Sequence, residues 1–354
     1  PMGWDSFGMP AENAARQKSI ATNLSRPPKG ILAADESTNT ITKRFDSINV
    51  ESSIENRRKY RELLFTSENL NKYISGVILY DETVYQSTND GVNFPQYLKS
   101  LGIIPGIKVD TGAVPIEKNS PEKITEGLDG LQKRLEEYNS QNLEFTKWRA
   151  IIDIDTNNNI PTEYSIELNA HSLSRYAKIV QDYEMVPIVE PEILMDGAHD
   201  IETCYKITSN VLKKVFEALN KQNVYLGGIL LKPNMIIAGK NSIKQASTDE
   251  VATMTLKCLN ENVPKDVPGI VFLSGGQSNE LATEHLNKMN KDSKDSHWNI
   301  SFSYGRALQQ PSLLSWMGSD SNTERAQKEL LKRSKLNSDA TLAKYSIEDE
   351  NSQL

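Results

Sequence analysis

The sequence predicts an α/β fold, a closed barrel of eight parallel strands alternating with helices, and three observations carry that prediction. Eight short runs rich in Ile, Val and Leu recur along the chain. Helix-like stretches separate them, as in TCYKITSNVLKKVFEALNKQ (203–222), whose apolar residues fall at three- and four-residue spacing. Polar residues gather at the C-terminal ends of the runs, where turn chemistry begins.

In order, the strand candidates are GILAADES (30–37), GVILYDET (76–83), IIPGIKVD (103–110), FTKWRAIIDID (145–155), VPIVEPEI (186–193), GGILLKPNM (227–235), GIVFLSGG (269–276) and WNISFSYGR (298–306). Strand–helix alternation calls for a parallel sheet with right-handed crossovers. Eight units in about 280 residues suit a (β/α)8 TIM barrel better than the other candidate, a doubly wound open sheet with an extra subdomain. That alternative is weakened further because no GxGxxG or GxxxxGK[ST] motif follows the first strand. Residues 1–334 are expected to form a single barrel domain, with residues 1–20 a peripheral N-terminal helix. The polar stretch KLNSDATLAKYSIEDENSQL (335–354) is expected to be a mobile C-terminal tail.

Composition narrows the function classes. The 354 residues are 38% hydrophobic and 25% charged, a balance suited to a packed core. No apolar run approaches the roughly 18–20 residues that span a bilayer, so no membrane insertion is expected. The N-terminus shows no signal pattern, and the two cysteines, Cys204 and Cys258, form no disulfide framework. A cytoplasmic location is therefore expected. A net charge of −7 speaks against nucleic acid. His171, His199, His285 and His297 are scattered, so no metal is expected.

The polar residues near the strand ends are unusual for buried parallel strands: Asp35, Lys108, Lys147, Arg149, Glu190, Glu192, Lys232, Ser274 and Arg306. With a period of two, Lys147 shares a face with Arg149, Glu190 with Glu192, and Lys232 with Leu230. A lysine there is expected to point into the barrel. Unprotonated, it is a nucleophile that can attack a ketone and form an iminium ion, an electron sink for carbon–carbon cleavage. Crowding by Lys147 and Arg149 would favour the neutral amine. Glu190 and Glu192, side by side, would raise one carboxyl pKa and serve as proton shuttles. Asp35 could handle a substrate hydroxyl proton. The structural alternatives are a buried ion-pair lysine at 232 and a Glu192 that merely neutralises Lys147.

LSGGQ (273–277) and SYGRA (303–307) look like a phosphate cup after the last two strands. Glycines permit close backbone approach, Ser274 and Ser303 offer hydroxyls, and Arg306 can grip phosphate as a fork. Ser37, Arg44 and Lys108 lie toward the other half, where a second phosphate could sit. Arg44 could equally be a solvated helix residue.

Taken together, GILAADEST (30–38), ENRRKYRELLF, GIKVD, GLDGL, KWR, VPIVEPEI, LLKPNM, FLSGGQ and SYGRALQ (303–309) resemble class I fructose-bisphosphate aldolase over most of the chain. The resemblance implies a glycolytic and gluconeogenic homotetramer. It implies metal-free and cofactor-free cleavage of fructose 1,6-bisphosphate to dihydroxyacetone phosphate and glyceraldehyde 3-phosphate. On the matching motifs, Lys232 is implied as the Schiff-base lysine, Glu190 as general acid/base with Glu192 in support, and Asp35 as the aspartate assisting carbinolamine formation. Lys147 is implied to tune the site and Arg149 to bind phosphate. Ser274, Gly275, Gly276, Ser303, Gly305 and Arg306 match the cup for the carbon 1 phosphate. Ser37, Arg44, Lys108 and, less directly, Arg57 match substrate contacts. Thr40 stands where the family often has serine. Many members end in a tyrosine that protonates the enamine, whereas this sequence reads NSQL at its end. Either the tail is truncated or another group moves the proton, so no tail residue is assigned. Two other readings stay open: added scaffolding of a cytoskeletal or adhesin-tail partner, and a transaldolase-like lyase.

Overall fold

The computed structural model describes residues 10–293 and 296–352. Ten strands occur in this range: β1 (Gly30–Ala34), β2 (Ile74–Leu79), β3 (Ile104–Lys108), β4 (Gly112–Pro115), β5 (Lys123–Glu126), β6 (Phe145–Ile152), β7 (Val186–Ile193), β8 (Leu230–Leu231), β9 (Gly269–Phe272) and β10 (Asn299–Tyr304). Eight of them pair in parallel and close in the order β1-β10-β9-β8-β7-β6-β3-β2. The expected (β/α)8 barrel is the fold, and each of the eight strand candidates overlaps a barrel strand, although β2 begins two residues before its candidate.

The sequence reading missed β4 and β5, an antiparallel hairpin. Its residues GAVP and KITE are too short and too mixed to show a period. The Thr125 hydroxyl donates to the Arg149 carbonyl at 2.7 Å, tying the hairpin to β6. β8 is shorter than its run predicted. Gly227 and Gly228 sit in a 3-10 turn before it, and Pro233 has no N–H to donate after it.

The outer helices start where capping chemistry stops the chain. Side-chain oxygens of Ser53, Thr162, Asp200, Ser247 and Ser278 each accept a hydrogen bond from the backbone three residues on. The amphipathic face of each helix then packs on the strands. Trp148, Tyr176, Phe272 and Tyr304 are among the fully buried side chains of this layer.

The N-terminal helix Ala11–Ser25 is structural in a way its polarity concealed. It lies across the N-terminal end of the barrel, and Ile20, Ala21 and Leu24 join Ile31, Ile78, Phe145, Ile188, Leu230 and Val271 in the interior cluster. The expected tail boundary at residue 335 is also corrected. It falls inside the last helix, Thr323–Thr341. Leu336, Asn337, Ser338, Ala340 and Thr341 are buried there, and small polar residues packed into an interface leave no hydrophobic period to read. Beyond the helix, Tyr345 is 7% exposed and donates to Glu350 Oε1 at 2.9 Å. The terminal Gln353 and Leu354 lie outside the described residues.

Candidate active site

Strand register brings the charged residues to one level. Arg149 pairs with Glu190 and Ile151 with Glu192 across β6 and β7, while Ile188 pairs with Leu230 across β7 and β8. Two residues further on, Glu190 and Lys232 therefore stand level. The Lys232 N–H extends the ladder to the Val189 carbonyl at 2.8 Å. Leu230 belongs to the interior cluster, so period two turns Lys232 inward as well.

The result is a row of alternating charges. Lys232 Nζ lies 3.2 Å from Glu190 Oε1, and Glu190 Oε2 lies 3.4 Å from Lys147 Nζ. Lys147 Nζ lies 2.7 Å from Asp35 Oδ2. Lys147, Glu190 and Lys232 are buried and Asp35 nearly so. Burial opposes the charge on Asp35, but Lys147, Lys232 and Lys108 outweigh it and hold its carboxyl well below the usual carboxylate range. Burial also opposes the charge on Lys147, and Asp35, Glu190 and Asp110 reverse the effect and raise its pKa. Arg149 is bound to Glu192, and that carboxylate with Glu190 keeps the guanidinium charged despite burial.

This geometry changes two expectations. Glu190 and Glu192 each lie on a cation, Glu190 on Lys147 and Lys232, Glu192 on Arg149. The crowding of bare cations around Lys232 is likewise replaced by an interleaved array, because Lys147 sits between Asp35 and Glu190. Nor does Glu192 neutralise Lys147, which has two other carboxylates.

A cavity of about 460 Å³ opens at this end of the barrel. Asp35, Lys147, Glu190, Glu192 and Lys232 line it, together with Ser37, Arg44, Lys108, Arg149, Ser274, Gly275, Ser303, Gly305 and Arg306. Ser303 Oγ is buried on its wall without a hydrogen-bond partner, and Arg306 opens the helix Arg306–Trp316. Glycines, a serine hydroxyl, a guanidinium and the start of a helix meet there, the composition of an anion site. Gly276 does not line the cavity. Its φ of +79° suits glycine, and a Cβ would stand 2.6 Å from Met195 Cβ, so it shapes the turn from behind. Arg57 also lies off the cavity, held by Glu82 at 2.6 and 2.8 Å.

Closure relocates Arg44. Its helix follows β1, far in sequence from Arg306 after β10, but β1 and β10 are neighbours. Arg44 and Arg306 share the cavity rim and a smaller adjoining pocket of about 110 Å³. Burial, then the charge of Arg44, lowers the Arg306 pKa. Ser37 caps the helix Thr38–Asp46, accepting from the Thr40 N–H at 3.4 Å.

Three polar lining residues were given no role from the sequence. Asp110 is buried, lies 2.9 Å from Lys108 Nζ and accepts from the Arg149 N–H. Period two from Lys108 was the signal for it. Thr40 lines the cavity from the capped turn, where the sequence had marked it only as a departure from the family's serine. Glu36 alternates away from Asp35 on the strand period and still reaches the cavity. Among the described residues no group of three His, Cys, Asp or Glu side chains is disposed to hold a metal ion.

Fold and site together define a (β/α)8 barrel with a buried lysine, its carboxylate partners and a wall of Ser274, Gly275, Ser303, Gly305 and Arg306 at the C-terminal mouth. A family model for class I fructose-bisphosphate aldolase, of the glycolytic type, matches residues 17–354. A probable class 1 fructose-bisphosphate aldolase of Xanthomonas axonopodis pv. citri is 52% identical over 320 residues, covering 90% of this chain and 95% of that protein. Fructose-bisphosphate aldolase 1 of Toxoplasma gondii is 49% identical over 341 residues, covering 96% and 94%. A Plasmodium falciparum fructose-bisphosphate aldolase, solved in complex with TRAP and a small-molecule inhibitor, superposes with a TM-score of 0.94 at 48% identity, covering 96% and 97%. The chain belongs to the class I fructose-bisphosphate aldolase family. It is a metal-independent carbon–carbon lyase of glycolysis, acting on fructose 1,6-bisphosphate.

Proposed function

We propose that Lys232 is the covalent nucleophile of this aldolase. The observation that carries the reading is a buried amine 3.2 Å from Glu190, on the wall of the cavity at this end of the barrel. An amine attacks a carbonyl only when unprotonated, and Glu190 is within reach to take its proton. The amine adds to the substrate ketone, the carbinolamine loses water, and an iminium ion forms on Lys232. The bond between carbons 3 and 4 then breaks, its electrons passing to the iminium nitrogen as glyceraldehyde 3-phosphate leaves. Protonation of the enamine at carbon 3 and hydrolysis release dihydroxyacetone phosphate and restore the amine.

In this reading Glu190 shuttles protons at the nitrogen and the departing hydroxyl. Asp35, kept ionised by its lysines, orients or deprotonates a substrate hydroxyl. Lys147 holds these two carboxylates in place, and Glu192 holds Arg149. Ser274, Gly275, Ser303, Gly305 and Arg306 hold one phosphate, with Gly276 shaping their turn. Ser37, Arg44, Lys108 and Arg149 supply further substrate contacts, and Arg57 supports the rim from outside. The chain acts in the cytoplasm as a homotetramer.

Borohydride reduction in the presence of dihydroxyacetone phosphate tests this. One reduced adduct per chain is expected, mapped by peptide mass to Lys232. An adduct elsewhere, or none, removes the mechanism. The Plasmodium falciparum enzyme seen with TRAP favours a second reading, in which this chain also holds an adhesin-tail peptide. A pull-down in which fructose 1,6-bisphosphate releases the peptide tests it.

A further inference from the structure

We infer that Glu36 is a positioning residue for substrate binding, which acts by holding Arg44 beside Arg306 at the cavity rim. The inference rests on the reading of the cavity as the bisphosphate site. It assigns a role to a residue that does none of the chemistry.

Glu36 is 7% exposed and joins three helices that meet only in the folded barrel. Its Oε1 accepts from Arg44 Nη1, on the helix Thr38–Asp46. Its Oε2 lies 2.8 Å from Arg61 Nη2, on the helix Ile54–Phe65. Oε1 also accepts from Gln309 Nε2 at 2.9 Å, on the helix that Arg306 opens. Gln309 is itself held rigid: Nε2 also donates to the Ala33 carbonyl at 2.7 Å, and Tyr60 donates to its Oε1 at 3.2 Å. The carboxylate is therefore anchored on the strand, at the helix under the cup and at buried Arg61. Among the described residues, Arg44 is its one partner that lines the cavity.

Electrostatics require such an anchor. Two guanidiniums sharing one rim repel, and the lowered pKa of Arg306 registers both its burial and the charge of Arg44. Without a carboxylate behind it, Arg44 would swing toward solvent, since its side chain is already 25% exposed. Glu36 offsets that repulsion from the buried side and leaves the outward face of Arg44 free for an anion. A fork held in one geometry also loses less freedom when a phosphate arrives. Removing the anchor is therefore a loss of binding more than of chemistry.

Steady-state kinetics on Glu36→Gln and Glu36→Asp, with borohydride trapping of each, test this. Glu36→Gln keeps the shape and removes the charge. It is expected to raise KM for fructose 1,6-bisphosphate about tenfold, a change of the size a lost charge-assisted contact gives, and to leave kcat within about twofold. Glu36→Asp keeps the charge and is expected to give a smaller KM rise. In an Arg44→Ala background Glu36→Gln is expected to add nothing to KM, because the two residues act through one contact. An unchanged KM in folded Glu36→Gln overturns the inference, as does a fall in kcat at constant KM or full additivity with Arg44→Ala. Should Glu36→Gln not fold, Glu36→Asp and its additivity with Arg44→Ala decide alone, by the same criteria. Trapping separates this result from the wider reading. If the parent chain forms no adduct at Lys232 the Schiff-base site itself fails, whereas an adduct with an unmoved KM sinks only the role of Glu36.

Discussion

At its N-terminal end the barrel is closed by the helix Ala11–Ser25, whose Ile20, Ala21 and Leu24 pack among Ile31, Ile78, Phe145 and Val271. At its C-terminal end the inward faces of the same strands carry Asp35, Lys147, Glu190 and Lys232. The change takes one inward step per strand: Ala33 to Asp35, Phe145 to Lys147, Ile188 to Glu190, Leu230 to Lys232. The lower end gains stability from apolar burial and close approach. A Cβ on Gly76 would stand 2.5 Å from Leu24 Cδ2, and one on Gly269 2.1 Å from Ser25 Oγ, so glycines let the helix seat itself. The upper end spends part of that stability on desolvated charges, which pair with one another. The contrast shows how one set of strands can hold a rigid plug and a reactive site about two residues apart.

Substituting Lys232→Met breaks the contrast most directly, by carrying the apolar layer up one step. Cleavage activity is expected to fall at least a thousandfold, about 4 kcal/mol of transition-state stabilisation, because no other amine replaces the nucleophile. Thermal stability is expected to hold or rise, since a buried charge is removed while Glu190 keeps Lys147 at 3.4 Å. Substantial residual activity would show that the upper layer is structural. The reverse outcome is expected from Leu24→Ala in the plug. A cavity there costs roughly 3–4 kcal/mol of unfolding free energy, read by denaturant titration, with kcat per folded molecule unchanged. A large kcat change would mean that the plug and the site are not separable.

The smallest effect sharpens the boundary of the upper region. His285 is buried behind the cup turn, 2.6 Å from Gln277 Oε1, and burial pushes its pKa down to about 4. The folded chain thus binds fewer protons than the unfolded chain between about pH 6.5 and 4. The penalty is absent above that window and grows as pH falls through it, reaching roughly 2–3 kcal/mol. Chemical unfolding from pH 7 to 4 is expected to show this slope and to lose it in His285→Gln. A slope that survives the substitution would assign it to other groups.

Much of the upper region was legible because strand period and strand ends are local properties. Lys147, Glu190 and Lys232 each stand two residues beyond an inward apolar residue, so alternation alone turned them into the barrel. Asp110 was readable by the same rule and was passed over. Arg57 followed from motif resemblance without a local physical signal, and the fold ties it to Glu82 away from the cavity. The hairpin and residues 335–341 were illegible because their burial depends on partners that no nearby period announces.

By itself, then, the sequence determined the strand count, the inward lysine and carboxylates, and the glycine and serine turns after the last strands, since each depends on neighbours within a few residues. The tertiary structure decided which charge meets which. Closing β1 against β10 set Arg44 beside Arg306, and strand register put Glu190 between Lys147 and Lys232. Pairing of charges depends on distances of a few ångströms between residues separated by scores of positions in the chain, and such distances exist only once the barrel has closed.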